Sequence, residues 1–226
     1  MTQENPASTN NRHWLAYIVP MAIFMLFTGL IEPQFKTYYV AIYSLKILCV
    51  TVALLAYRRV WSEIKPDFKV VPIAVIVGLL TLVEWIIVDH YTPHLKFLGT
   101  RIADNPFTEI PNVAFRNYFF VIRFFGLAIM VPIMEEFFWR SFLMRYVADP
   151  DWGKLPVGTV TTNALILVSL FFGFVHPEWL AGIICGIIYA LLLKKTKSLF
   201  AVIVAHGTTN AALFIYVLAT GEWKFW

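Results

Sequence analysis

Seven runs of mostly apolar side chains, at 14–31, 38–57, 70–88, 118–134, 159–176, 179–193 and 199–219, leave this chain few ways to fold. An α-helix rises about 1.5 Å per residue, so runs of about 18 to 20 residues cover a hydrocarbon layer roughly 30 Å thick. Hydrophobic residues make up 59% of the 226 and charged residues 14%, where an ordinary soluble domain carries about 25% charge. Lipid is the solvent these figures point to. The expected fold is all-α, a polytopic bundle of about seven (six to eight) transmembrane helices around a central polar cavity.

What interrupts the runs sets the organisation. A polar tail occupies 1–13; the N-terminal spans and a long outer loop occupy 14–117, the loop running from Asp89 to Asn117; a transmembrane core occupies 118–219; a short tail occupies 220–226. The first run lacks a strongly basic start and a small-residue cleavage pattern, so it reads as an anchor rather than a removed leader. Lys and Arg are retained on the cytoplasmic side of short loops. With seven spans and a cytoplasmic N-terminus, three clusters fall inside: Arg58, Arg59, Lys65 and Lys69; Arg145 and Lys154; Lys194, Lys195 and Lys197. Lys96, Arg101 and Arg116 then sit in the outer loop. The net charge of +4 is thus mostly a topology signal, and no nucleic-acid partner is expected. Both cysteines, Cys49 and Cys185, lie inside apolar runs, so neither a disulfide scaffold nor a Cys-based zinc site has anything to build on.

Chemistry must come from polar groups inside these runs, each costing roughly 2.5 to 3.5 kcal/mol or more at the bilayer centre unless it faces protein or a wet cavity. Three clusters stand out. In Glu135-Glu136-Phe137-Phe138-Trp139-Arg140, Glu136 and Arg140 share a helix face, while Glu135 points about 100° away. One carboxylate is neutralised and the other left free; a capped helix end with a salt bridge is the structural reading of the same residues. In Phe172-Gly173-Phe174-Val175-His176-Pro177, a histidine ends an apolar run and a proline breaks the helix after it. Alone, such a histidine fits a satisfied structural residue as well. In His206-Gly207-Thr208-Thr209-Asn210, histidine and asparagine stack on one face of the last span, as a site pair or as an interhelical hydrogen-bond pair.

Taken together, EE-x-x-x-R, F-x-x-x-H and H-x-x-x-N, in this order on successive spans, resemble the CAAX prenyl protease and bacteriocin-processing family of intramembrane peptidases. The motifs cover residues 134–210. The resemblance implies an endopeptidase acting on a peptide or protein substrate in the bilayer, with Glu135, Glu136, Arg140, His176, His206 and Asn210 at the family's functional positions. No catalytic position departs from the pattern.

Amide hydrolysis needs an activated water, a proton route to the leaving amine and donors for the oxyanion, all of which a carboxylate, imidazoles and an amide supply. Glu135 is the expected general base, aided by His176; His206 and Asn210 are the oxyanion donors; Glu136 with Arg140 orients the helix and balances charge, although the two glutamates could exchange roles. No cofactor is expected in this reading. Zinc is the alternative, since two histidines and two glutamates also resemble metal ligands, but an H-E-x-x-H helix would carry both histidines whereas here they lie on different spans. A proton-coupled transporter and a non-catalytic scaffold or immunity-type factor are the rivals from other classes. If the source is bacterial, the membrane is the plasma membrane and an exported or membrane-anchored peptide is a better substrate than a prenylated protein.

Depth tests the assembly. His206 lies ~10 Å beyond Leu199 and Glu135 ~15 Å before Arg145, so the two can meet. A helix beginning at Thr159 would put His176 ~25 Å deep; one beginning after Asn163, as N-cap, puts it at about 20 Å, so 159–163 is expected outside the helix. Glu84 and Arg123 lie near the outer ends of their spans and read as snorkelling or structurally paired side chains. Trp14, Trp61, Trp85, Trp179, Trp223 and Trp226 suit an aromatic belt.

Overall fold

The structure is a computed structural model that describes residues 14–98 and 105–226; the expected polar tail at 1–13 and Arg101 lie outside the described residues. Every regular element among those residues is helical, as a chain in hydrocarbon requires, because a helix satisfies its own backbone donors and acceptors. Six helices are long and apolar enough to cross a membrane. Two compact units divide the chain, Met1–Ser62 and Glu63–Trp226.

The first unit holds α1 (Leu15–Gln34) and α2 (Tyr39–Ala56). Its one deeply buried cation, among the described residues, is Lys46, which is matched rather than stranded: Nζ meets Glu32 Oε1 at 2.7 Å and lies 4.7 Å from the ring centroids of Phe24 and Tyr43.

The second unit comprises α3 (Val71–Tyr91), α4 (Val113–Ala148), α5 (Thr162–Phe174), α6 (Trp179–Thr196) and α7 (Leu199–Thr220). Along α3, Ala74, Gly78, Thr81, Trp85 and Asp89 recur at helical spacing and are buried, while Ile76, Leu80, Val83 and Ile87 are exposed. This inverted pattern, small and polar inward with branched apolar outward, is that of a helix bathed in lipid. Close approach follows from glycine. A Cβ on Gly78 would lie 2.4 Å from Ala205 O of α7, and one on Gly173 of α5 would lie 2.5 Å from Trp179 O of α6. The connections bearing Glu63, Arg145 and Lys197 gather at one end of this unit, where Lys197 Nζ donates to Gly158 O at 2.8 Å. That end is the one the charge pattern assigns to the cytoplasm.

Three details differ from expectation. The fourth span does not stop at the glutamates: α4 runs 36 residues from Val113, capped by the Asn112 side chain on Phe115 N, so part of the expected outer loop is helix. The fifth run yields only the 13 residues of α5, about 20 Å and too short to cross alone. Its N-cap is Thr161, whose hydroxyl accepts from Ala164 N, rather than Asn163; Thr159 lies outside the helix as expected, but Thr162 and Asn163 lie within it.

Candidate active site

Pro132 shapes the site. Just before it, α4 widens into a π turn at Gly126–Met130, in which Val131 N–H reaches back five residues to Gly126 O. The next amide would serve Leu127 O, but proline has no N–H. Asn210 of α7 takes up that carbonyl instead, its Nδ2–H donating to Leu127 O at 2.9 Å. Gly207, one turn earlier on α7, accepts the neighbouring carbonyl in van der Waals contact: a Cβ there would lie 2.7 Å from Ala128 O. The break in the ladder therefore faces the last span, and is where the two polar helices lock together.

One short α segment later come the glutamates. Glu136 is wholly buried: Oε1 accepts from His206 Nδ1 at 2.8 Å, and Oε2 is ion-paired with Arg140, 3.3 Å from Nε, without a hydrogen bond between them. The donor on the histidine is assigned from the ionised carboxylate, which only accepts. Arg140 stands in a second π turn, Phe137–Leu143. Its guanidinium rests 4.4 Å from the Phe172 ring centroid and 5.4 Å from that of Tyr189, cation–π contacts that a desolvated arginine makes in place of water. Glu135 is 6% exposed and its Oε2 is buried with no hydrogen-bond partner. The adjacent carboxylates thus differ in their ion pairs: Glu136 is held between Arg140 and His206.

Phe172 is the hub of the aromatic packing. Its ring centroid lies 4.9 Å from that of His176 and 6.5 Å from that of His206. His176 is half-buried at the α5–α6 turn, with Nδ1 2.7 Å from Phe172 O and its ring edge-on to Trp85 at 5.6 Å. The carbonyl only accepts, so Nδ1 carries the proton and donates it. The structure joins Glu136, Arg140 and His206 directly, brings His176 to the same aromatic hub, and holds Asn210 on the π turn preceding Glu135. As zinc ligands, no three of Glu135, Glu136, His176 and His206 bring one ligand atom each within 4.8 Å of one another.

Sequence reasoning missed the parts played by Tyr189 and Thr209. Tyr189 is fully buried, donates to Thr209 Oγ1 at 2.7 Å and packs on His206 with centroids 5.4 Å apart; Thr209 in turn donates to Gly78 O at 2.7 Å. The clue is Gly182 and Gly186, spaced as G-x-x-x-G, which bring α6 against α5: a Cβ on Gly186 would lie 3.0 Å from Ser169 Cα, and Tyr189 follows on the same face. Glu84 does not snorkel, for both its oxygens are buried with no hydrogen-bond partner. Arg123 likewise turns inward, 7% exposed, with its guanidinium 5.2 Å from the Trp226 ring. Trp85 and Trp226 are buried within the fold, not in a lipid-facing belt.

Six membrane-length helices define a multi-pass integral membrane protein, and the helices of its second unit enclose a carboxylate, an arginine and a histidine. Residues 117–212 match the family model of the Type II CAAX prenyl endopeptidase, Rce1-like, a match that supports the CAAX protease family for that segment. The matched residues hold every position of the candidate site. No curated protein and no solved structure matches the chain.

Proposed function

We propose that this protein is an intramembrane endopeptidase in which a water activated by Glu135 cleaves a peptide bond of a membrane-anchored or exported substrate. The division of labour between the two adjacent carboxylates carries the reading. Glu136 is ion-paired with Arg140 and His206, whereas Glu135, 6% exposed, has Oε2 buried outside any ion pair or hydrogen bond among the described residues. A carboxylate held between two cations is a weak base, so the one outside that pairing is the better proton acceptor.

In the first step Glu135 takes a proton from water and the hydroxide oxygen bonds to the scissile carbonyl carbon, whose π electrons move onto oxygen. His176, at the half-open turn, helps to position the water. The oxyanion is met by His206 through Nε2–H and by the second N–H of the Asn210 amide, the first being spent on Leu127 O. Collapse of the intermediate breaks the C–N bond, and the proton held by Glu135 passes to the leaving amine. The proton transfer then moves negative charge from Glu135 to the oxyanion without adding any, which a low-dielectric site favours.

No metal takes part in this scheme. Cleavage of a lipidated reporter peptide by the purified protein is expected to continue in excess chelator. Cleavage that stops on chelation and returns with Zn2+, with the metal held by His176 or His206, would overturn the scheme. For a bacterial source, the membrane is the plasma membrane and the substrate an exported or anchored peptide.

A further inference from the structure

A second group of ligand-type side chains converges away from the catalytic glutamates. Asp89 at the end of α3, His94 in the segment that follows, and Glu178 in the α5–α6 turn each bring one ligand atom within 4.8 Å of the others. Asp89 and Glu178 are 6% and 3% exposed. His94 is the open member, with its side chain 39% exposed. Asp89 divides its oxygens: Oδ2 accepts from Lys224 Nζ at 2.8 Å, while Oδ1 faces His94 Nε2 within hydrogen-bond distance. The segments are already docked without help from these groups, since Trp179 Nε1 donates to Pro93 O at 3.2 Å.

We propose that Asp89, His94 and Glu178 form a binding site for a divalent first-row cation of the zinc type, which clamps the α5–α6 turn to the outer end of α3. Two carboxylates so close and so enclosed repel one another, and a dication placed between them removes that repulsion. The imidazole sets the metal. Calcium and magnesium favour oxygen donors only, whereas one nitrogen and two oxygens suit zinc, with solvent as the fourth ligand on the exposed His94 side. On binding, the proton shared by His94 Nε2 and Asp89 Oδ1 leaves to solvent and both lone pairs turn to the metal. Lys224 stays on Oδ2 as an outer partner that fixes the orientation of Asp89.

The full-length protein in detergent, stripped with chelator and desalted, is titrated calorimetrically with ZnCl2, and its thermal unfolding is followed with and without the ion. One zinc per chain and a raised unfolding midpoint are expected. His94→Ala and Glu178→Gln should each weaken binding by more than the roughly 10- to 100-fold that loss of an outer-shell partner costs, while His206→Ala binds as the parent does; if His206→Ala does not accumulate, His176→Ala serves as that control. Absence of binding, unchanged affinity in His94→Ala, or affinity lost only in the His206 or His176 variant would overturn the proposal. So would a midpoint raised equally by Mg2+ or Ca2+. Repeating the peptide assay in chelator with His94→Ala separates this site from the proposed chemistry, because an effect of chelation that depends on His94 belongs here.

Discussion

Replacing Glu136 with Gln should damage the fold more than replacing Glu135, although the two residues are neighbours and both are buried. Glu136 holds Arg140 at 3.3 Å and His206 at 2.8 Å, with side chains 0%, 1% and 8% exposed. Removing its charge leaves the Arg140 guanidinium enclosed with only the rings of Phe172 and Tyr189 beneath it, and stranding one partner of a buried pair costs about 3 to 5 kcal/mol. The lower figure alone shifts a folding equilibrium by roughly 100-fold or more. Glu135→Gln exchanges one unpartnered oxygen for an amide of the same shape, so about 1 kcal/mol or less is expected. Folded yield in detergent, read by size-exclusion chromatography of a fluorescent fusion and by thermal unfolding, compares the two. The double variant Glu136→Gln/Arg140→Met should recover much of the loss, since removing both charges leaves none stranded. Parental stability of Glu136→Gln, or a double variant worse than either single one, would refute the reasoning.

Loss of His176 in His176→Ala should abolish processing while folded yield stays near parental, because the ring is half-buried at a turn; processing at the parental rate would remove it from the site. Asn210→Ala should lower turnover by about 100- to 1,000-fold, the usual cost of a lost oxyanion donor, with little change in substrate affinity. Gly173→Ala puts a methyl 2.3 Å from Ile183 Cγ1 and 2.5 Å from Trp179 O, so α5 and α6 must separate, at about 1 to 3 kcal/mol; an unfolding midpoint unchanged from the parent would contradict that packing. Reporter fusions should find the Arg58–Lys69 connection cytoplasmic and Trp226 on the opposite side, and both on one side would overturn the charge-based topology.

Much of the fold was legible because lipid enforces it: apolar runs at 38–57, 179–193 and 199–219 became helices with bounds close to those read from the sequence. The partnership of Glu136 with Arg140 was legible too, from helical spacing alone. Its second partner was not, since His206 reaches Glu136 through the packing of α7 on α4, and nothing local specifies that contact. The π turns escaped notice for a related reason. Pro132 announces a break, but only Gly207 and Asn210 on another helix decide that the break widens and is filled by a side chain. Near the outer ends, a tryptophan or arginine suits an interfacial belt and an inward contact equally well by position. Trp226 and Arg123 settle on each other because neighbouring Phe119, Phe120 and Phe214 build an aromatic pocket around the indole.

The role of Glu135 as the only base is tested most directly by incubating the purified parent and Glu135→Gln with a lipidated reporter peptide in H2(18)O and reading the fragments by mass spectrometry. The account predicts a new carboxyl terminus labelled with 18O from the parent, and at matched folded yield no fragment above background from the variant. Cleavage by Glu135→Gln at a rate comparable to the parent would contradict it.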